Sequence, residues 1–254
     1  MKKLLAAALV VAENSFRESV RNKFFTLFAV FAFTAIYASV LAGVMAVDQE
    51  ARVLGDFGLA LMELTALAYA LFNASSVLLK EAETKTIYLV FSRPVPRWAY
   101  LSGKLAGALL TTAFMLAVMG FMHLALLKLR GFGIPQGYAW ALTGSFMKLA
   151  VITSFAFFVA LFSTSAVSTL VISGVLWTAG HFIAETRFLA EKGSGLGAVA
   201  LKAAIWLIPN FQLFNARDAA GAACSLPPVA FLSAVVWVAA AYFAALGLLE
   251  RKEF

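Results

Sequence analysis

Between Phe24 and Val47 the chain carries no charged side chain. About 20 mostly apolar residues suffice to cross the hydrocarbon core of a bilayer as a helix. Inside that core each backbone N–H and C=O must find its partner within the protein, which a helix provides from its own segment. A run of this kind therefore dictates its secondary structure and its surroundings together.

The run recurs. Phe57–Leu79 carries one charge, Glu63, and Leu105–Leu127 has only His123 as an ionisable group. Tyr138–Phe162 holds Lys148 near its middle, Ala166–Ala184 holds His181, and Val229–Leu249 is free of charge. With Phe24–Val47 these give six expected spans in one all-α transmembrane domain covering 1–254, at 24–47, 57–79, 105–127, 138–162, 166–184 and 229–249. Composition agrees: 63% of the 254 residues are hydrophobic and 13% are charged, against about a quarter charged in a soluble domain. The formal net charge of +7 is then no nucleic-acid footprint, because Lys and Arg in short loops set membrane orientation.

With the N-terminus inside, the inner segments hold Lys2, Lys3, Arg17, Arg21, Lys23, Lys80, Lys85, Arg93, Arg97, Lys104, Arg251 and Lys252, a majority of the 20 Lys and Arg. Both termini are therefore expected in the cytoplasm of a multi-pass inner-membrane protein. Lys128 and Arg130 fall outside, as an exception that snorkelling tolerates. Leu196–Ile208 is too short to span, contains Lys202 and stops at Pro209; a run of that length is expected to be re-entrant or interfacial.

Lys2-Lys3 followed by LLAAALVVA resembles the start of a signal peptide. The next residues favour an uncleaved amphipathic helix. Leu9, Ala12, Phe16 and Val20 share one face, whereas Glu13, Arg17 and Arg21 share the other, with Glu13 four residues before Arg17. Residues 1–23 are thus expected to lie in the interface and lead into the first span.

The densest polar island is KEAETKTIYLVFSRPVPRWAYLSGK, residues 80–104. Glu81 to Ser92 can form a short helix with Glu81 and Lys85 at i,i+4. Pro94 disfavours the helical region at Arg93, and Pro96 can open the next helix, which runs through Arg97, Trp98, Tyr100 and Lys104. Trp98 and Tyr100 fall at interfacial depth. The residues alone allow a helix–turn–helix under the membrane or an ordinary charged loop with aromatic anchors.

The pattern resembles the permeases of ABC-2-type exporters, in particular the bacterial group that includes the permease for copper-centre maturation of nitrous oxide reductase. Glu81, Glu83, Thr86, Ile87, Leu89, Ser92, Pro94, Val95, Arg97, Lys104 and Leu105 stand in matching positions; Lys85 and Pro96 depart, where many members have Gly and Ser. The segment at Phe16, Arg17 and Glu18, the IPNFQLFNARD stretch at Ile208–Asp218 and the C-terminal LLERKEF are similar to further parts of that family.

The resemblance implies the six-helix ABC-2 (type V) exporter fold, built of two permease copies, a homodimer in the simplest case, in membrane lipid and without nucleic acid. They would work with two copies of a cytoplasmic ABC ATPase, which would hold the ATP and Mg while this chain binds no cofactor. It implies that 80–104 is the coupling helix against the ATPase, with Glu81, Glu83, Thr86, Arg93, Pro94 and Arg97 as coupling residues. The N-terminal segment, with Glu13, Phe16, Arg17 and Arg21, would be a connecting helix, and 185–226 would supply external re-entrant helices.

No GxxxxGK[ST] phosphate loop, HExxH, GxSxG or paired-Cys metal motif occurs, and Cys224 is the single cysteine. Catalysis is therefore expected on a partner chain. A charge at the centre of a span costs roughly 2.5–3.5 kcal/mol on insertion scales, so it faces protein or water. Lys148 and Glu63 are accordingly the candidate substrate-path residues. For Lys148 the alternatives are contact with an anionic substrate, an internal pair with Glu63 or a backbone carbonyl, and snorkelling. Glu63 is expected near the outer end of its helix, solvated or paired. Gly103 and Gly107 are spaced GxxxG but only weakly indicate close packing at a helix start. An ATP-independent secondary transporter would show internal repeats or broken spans, and neither is visible. A lipid-modifying enzyme would need clustered Asp, His or Glu. A membrane assembly subunit without transport remains the other alternative.

Overall fold

The computed structural model describes residues 2–45, 49–85, 95–216 and 225–252. Among the described residues the chain is helical throughout, without strands. The helices are α1 (Lys2–Arg21), α2 (Lys23–Met45), α3 (Glu50–Glu83), α4 (Arg97–Leu129), α5 (Tyr138–Phe162), α6 (Ala166–His181), α7 (Ile183–Lys192), α8 (Leu196–Leu207) and α9 (Pro228–Arg251), with a 3₁₀ turn at Phe211–Phe214. Five single helices, α2 to α5 and α9, are long and apolar enough to cross a membrane, and Gly197–Phe214 passes as a sixth stretch. α6 and α7 pass only jointly, and they are bent by 65° at Phe182. The chain is a multi-pass membrane protein of about six spanning helices.

α5 is the axis. Its most apolar window is 78% buried, against 24% for α2 and 22% for α9. Leu149, Val151, Ile152, Ala156 and Phe157 line its contacts with α3, α4, α6 and α9. The opposite extreme is α2, whose Leu27, Val30, Phe31, Tyr37 and Leu41 are exposed. An apolar surface of that extent is natural against lipid tails and costly against water.

The helix ends explain the boundaries. Asn22 breaks α1 from α2, and its side-chain oxygen accepts the Phe24 N–H at 3.1 Å, a capping contact that satisfies a donor at the start of α2. α3 runs past both ends of the expected 57–79 span and stops after Glu83, where Lys85 adopts a left-handed φ of 58°. Pro96 is extended and precedes α4 directly, as expected for a residue that cannot donate a helical hydrogen bond. At the other end of this helix pair Arg130 meets Glu50 at 3.5 Å, which gives one of the two exceptional basic residues a partner there. α4 begins at Arg97, well before Leu105, so much of the 80–104 island belongs to α3 and α4.

Span five differs most from expectation. The expected 166–184 helix ends at His181 and turns sharply. The His181 carbonyl is taken by the Gln212 side-chain amide at 2.7 Å. Its ring turns back to the Trp177 carbonyl at 2.9 Å. The first contact satisfies a carbonyl that a continuing helix would have used for itself.

Candidate functional site

Two buried lysines organise the molecule, one at each level of the bundle. The first is Lys104 on α4, whose side chain is 5% exposed. Its Nζ lies 2.5 Å from Glu81 Oε1 on α3 and 3.7 Å from Glu18 Oε2 on α1. The Tyr100 hydroxyl, one turn earlier on α4, donates to the other Glu81 oxygen. Arg97, on the same face one further turn back, donates to the carbonyls of Leu249, Glu250 and Lys252 at the end of α9. Those are orphan acceptors of a helix C-terminus, where a cation is favoured. Tyr242 of α9 donates to the Trp98 carbonyl at 3.0 Å. The ends of α1, α3, α4 and α9 are thus tied together at the junction that flanks 86–94.

This places Glu81 and Arg97 in one node and corrects the local pairing: Glu81 turns to Lys104 and Tyr100 instead of Lys85, because α3 ends before Lys85. Glu83 is exposed at the tip of α3. Thr86, Arg93 and Pro94, with the rest of the expected Glu81–Ser92 helix beyond Lys85, lie outside the described residues. Lys104 and Tyr100 were not singled out as site residues in the sequence. Their signal was the 97, 100, 104 spacing, which sets one basic–aromatic face at the start of α4.

α1 sits differently from an isolated interfacial helix. Its buried positions are Ala12, Ser15 and Ser19, while Leu9 is 70% exposed. The buried face is therefore rotated from the expected Leu9, Ala12, Phe16, Val20 stripe. The cause is close helix packing on α4. A Cβ added to Gly103 would stand 2.6 Å from Val11 Cβ, and one added to Gly107 would stand 2.6 Å from Ser15 Cβ. Small residues facing a GxxxG pair let two helix backbones approach this closely. Phe16 meets Phe114 edge to face at 6.0 Å. Glu13 and Arg17 pair at 2.5 Å on the outer face, and Arg21 is exposed at the helix end.

The second lysine is Lys148 on α5, with a side chain 3% exposed. Its Nζ lies 2.8 Å from Glu63 Oε1 on α3 and donates to Asn215 Oδ1. The Ser145 hydroxyl donates to Glu63 Oε2. Of the alternatives open for Lys148, the structure shows the internal pair with Glu63. Glu63 is correspondingly buried rather than solvated at a helix tip, because α3 begins at Glu50 and carries it inward.

Asn215 reaches this depth because the chain after α8 folds back into the bundle. Pro209 ends the run, Asn210 caps the 3₁₀ turn by accepting the Gln212 N–H at 3.0 Å, and Phe211 and Phe214 are fully buried. The turn fits where side chains are missing. Gly180 on α6 lies directly against the Phe211 ring, and Gly144 on α5 against the Phe214 carbonyl. Trp177 packs against Phe211 in a tilted arrangement, with ring centroids 4.9 Å apart. The segment that folds into the bundle is thus Pro209–Ala216, while α8 itself keeps Val199, Trp206 and Leu207 exposed. Ser145 went unnoticed in the sequence, since a single polar residue in an apolar run carries no distinguishing pattern; Gln212 and Asn215 were marked only as members of the IPNFQLFNARD stretch, without a role.

His123 is fully buried, with Nε2 3.2 Å from the Leu54 carbonyl and Nδ1 3.0 Å from the Tyr138 hydroxyl. Both ring nitrogens serve helix packing. Among the described residues no group of three or more His, Cys, Asp or Glu is arranged to hold a metal ion.

The fold and these two sites define a polytopic helical membrane protein with a tied junction at one end and an inward-folded turn pinned beside a buried ion pair. No protein-family model matches the chain, and no curated protein matches it.

Proposed function

We propose that this chain is the membrane-embedded permease subunit of an ATP-driven exporter of the ABC-2 type. It works as a dimer in the inner membrane with both termini in the cytoplasm, and it couples to a separate cytoplasmic ATPase that carries ATP and Mg. The observation that carries this reading is the junction node. Glu81 and Arg97 flank the 86–94 segment, and their contacts through Lys104, Tyr100 and the α9 carbonyls bind four helix ends into one unit. A push on 86–94 then reaches α1, α3, α4 and α9 together, which is what a chain without a phosphate loop of its own needs from a partner that has one.

The re-entrant turn supports the same reading from the other level, because it closes the bundle near Glu63 and Lys148. That turn also favours a second reading, an ATP-independent carrier. Irregular backbone beside buried charges at membrane depth is the usual setting of a secondary-transport site.

Affinity purification of the tagged chain in mild detergent, followed by mass spectrometry, separates the two. Recovery of a P-loop ATPase in near-equal amount is expected. In that complex Glu83→Gln and Arg97→Gln should insert normally yet uncouple ATP hydrolysis from transport. An ATPase-free homo-oligomer, or normal coupling in both variants, overturns the exporter reading.

A further inference from the structure

The elbow between α1 and α2 carries charge that the node does not use. A cleft of about 550 Å³ opens there, lined by Asn14, Arg17, Glu18, Arg21, Asn22 and Lys80. Glu18 is directed at Lys104, and Arg17 is held by Glu13. Arg21 on α1 and Lys80 on α3 meet no acceptor among the described residues. With Arg17 paired to Glu13 and Glu18 to Lys104, Arg21 and Lys80 leave the cleft net positive, and the Asn14 and Asn22 amides add neutral donors.

The surroundings of the cleft restrict what can fill it. α2 starts at Lys23, and its exposed apolar surface begins at once with Phe24 and Leu27. On the α1 side Leu9 and Val10 are exposed as well. The cleft therefore sits where a polar surface gives way to a lipid-facing one. A ligand that places an anion among Arg17, Arg21 and Lys80 can lay an apolar tail along Phe24 and Leu27 without leaving the site. An acidic peptide offers the anion but has no use for the adjoining apolar face.

We infer that this elbow is a binding site for the phosphate-bearing headgroup of an acidic phospholipid. Basic pockets between membrane helices at the inner surface suit such headgroups, and each basic residue near an anionic surface contributes favourably. The lipid would brace α1 against α3 and so hold Glu18 toward Lys104.

The test uses the full chain in detergent, with lipid binding followed by native mass spectrometry. Phosphatidylglycerol, phosphatidylcholine and glycerol 3-phosphate are the probes. Wild type should retain phosphatidylglycerol in preference to phosphatidylcholine and show no retention of glycerol 3-phosphate. Arg21→Gln/Lys80→Gln should weaken phosphatidylglycerol binding by about 30-fold, the effect of two basic residues. Arg251→Gln/Lys252→Gln removes the same charge from the end of α9 and should leave the preference intact. Unchanged preference in the elbow variant, or equal loss in both variants, overturns the site. Retention of glycerol 3-phosphate as tight as that of the lipid overturns the lipid assignment in favour of a free phosphate ester. An unchanged unfolding temperature in phosphatidylcholine shows that the elbow variant still folds. The readout involves neither an ATPase nor transport, so it stands or falls apart from the exporter reading.

Discussion

The two buried lysines hold opposite kinds of structure in place. Lys104 sits among helix ends, between two carboxylates, one of which is about half exposed. Lys148 sits deep in α5, where its partners among the described residues are the Glu63 carboxylate and Asn215, which comes from a segment folded into the bundle. A node at helix ends can be reached by solvent and by a partner protein, so it can rearrange at modest cost. A pair sealed in the bundle cannot, because separating it strands charge in a medium of low dielectric. The comparison leaves the junction the easier of the two to rearrange and the inward-folded turn the harder.

The largest effect should come from breaking the sealed pair on one side. Glu63→Leu takes the Glu63 carboxylate away from the buried Lys148, and removal of one member of a buried ion pair typically costs about 3–5 kcal/mol. The double variant Glu63→Leu/Lys148→Met should recover most of that loss, since an apolar replacement of a whole buried pair is often near neutral. Thermal unfolding in bicelles measures both. Equal destabilisation in the single and double variants would mean that Lys148 is not held by Glu63, and the contrast between the two lysines would lose its basis.

Lys104→Met should cost less, about 1–3 kcal/mol, the usual penalty for a polar partner left unsatisfied. Glu81 keeps the Tyr100 hydroxyl, and its side chain is 18% exposed, so water can share the charge. Amide hydrogen exchange should show where the loss falls: faster exchange at the ends of α1 and α3, with Pro209–Ala216 unchanged. Faster exchange at Pro209–Ala216 would show that the two levels are one cooperative unit.

The same contrast explains what the sequence revealed. Spanning helices were legible because lipid demands long apolar runs, and the ends of α5 at Tyr138 and Phe162 coincide with the run itself. The break after His181 was invisible, because it depends on Gln212 from a distant segment and on Gly180 admitting Phe211. The α1 face was misjudged for a related reason. A hydrophobic stripe marks what avoids water, whereas packing between membrane helices selects small residues, and Ala12, Ser15 and Ser19 are small before they are apolar. Glu81 and Arg97 stood out by charge at the edges of apolar runs. Ser145 did not, and Asn215 did only as one member of the IPNFQLFNARD stretch, since only the folded chain brings them to Glu63 and Lys148.

The smallest effect is expected on the outer face of α1, and it sharpens the contrast by supplying a third kind of ion pair. Glu13 and Arg17 lie at the same short distance as Glu81 and Lys104, 2.5 Å in both cases. Their side chains, however, are 60% and 72% exposed. Distance alone would rank the two pairs equally. Solvent screening ranks them apart, because an exposed i,i+4 pair gains only about 0.3–0.5 kcal/mol and also orders two long side chains. Glu13→Gln should therefore shift the unfolding temperature barely, and the shift should vanish in high salt, where the screening length falls to about 3 Å at 1 M. Lys104→Met should keep most of its effect in the same salt, since Lys104 and its nearer partner Glu81 are only 5% and 18% exposed. If Glu13→Gln proved as costly as Lys104→Met, the outer face of α1 would have to be covered by something that excludes water. The acidic lipid inferred at the neighbouring elbow would then be the first component to remove and test again.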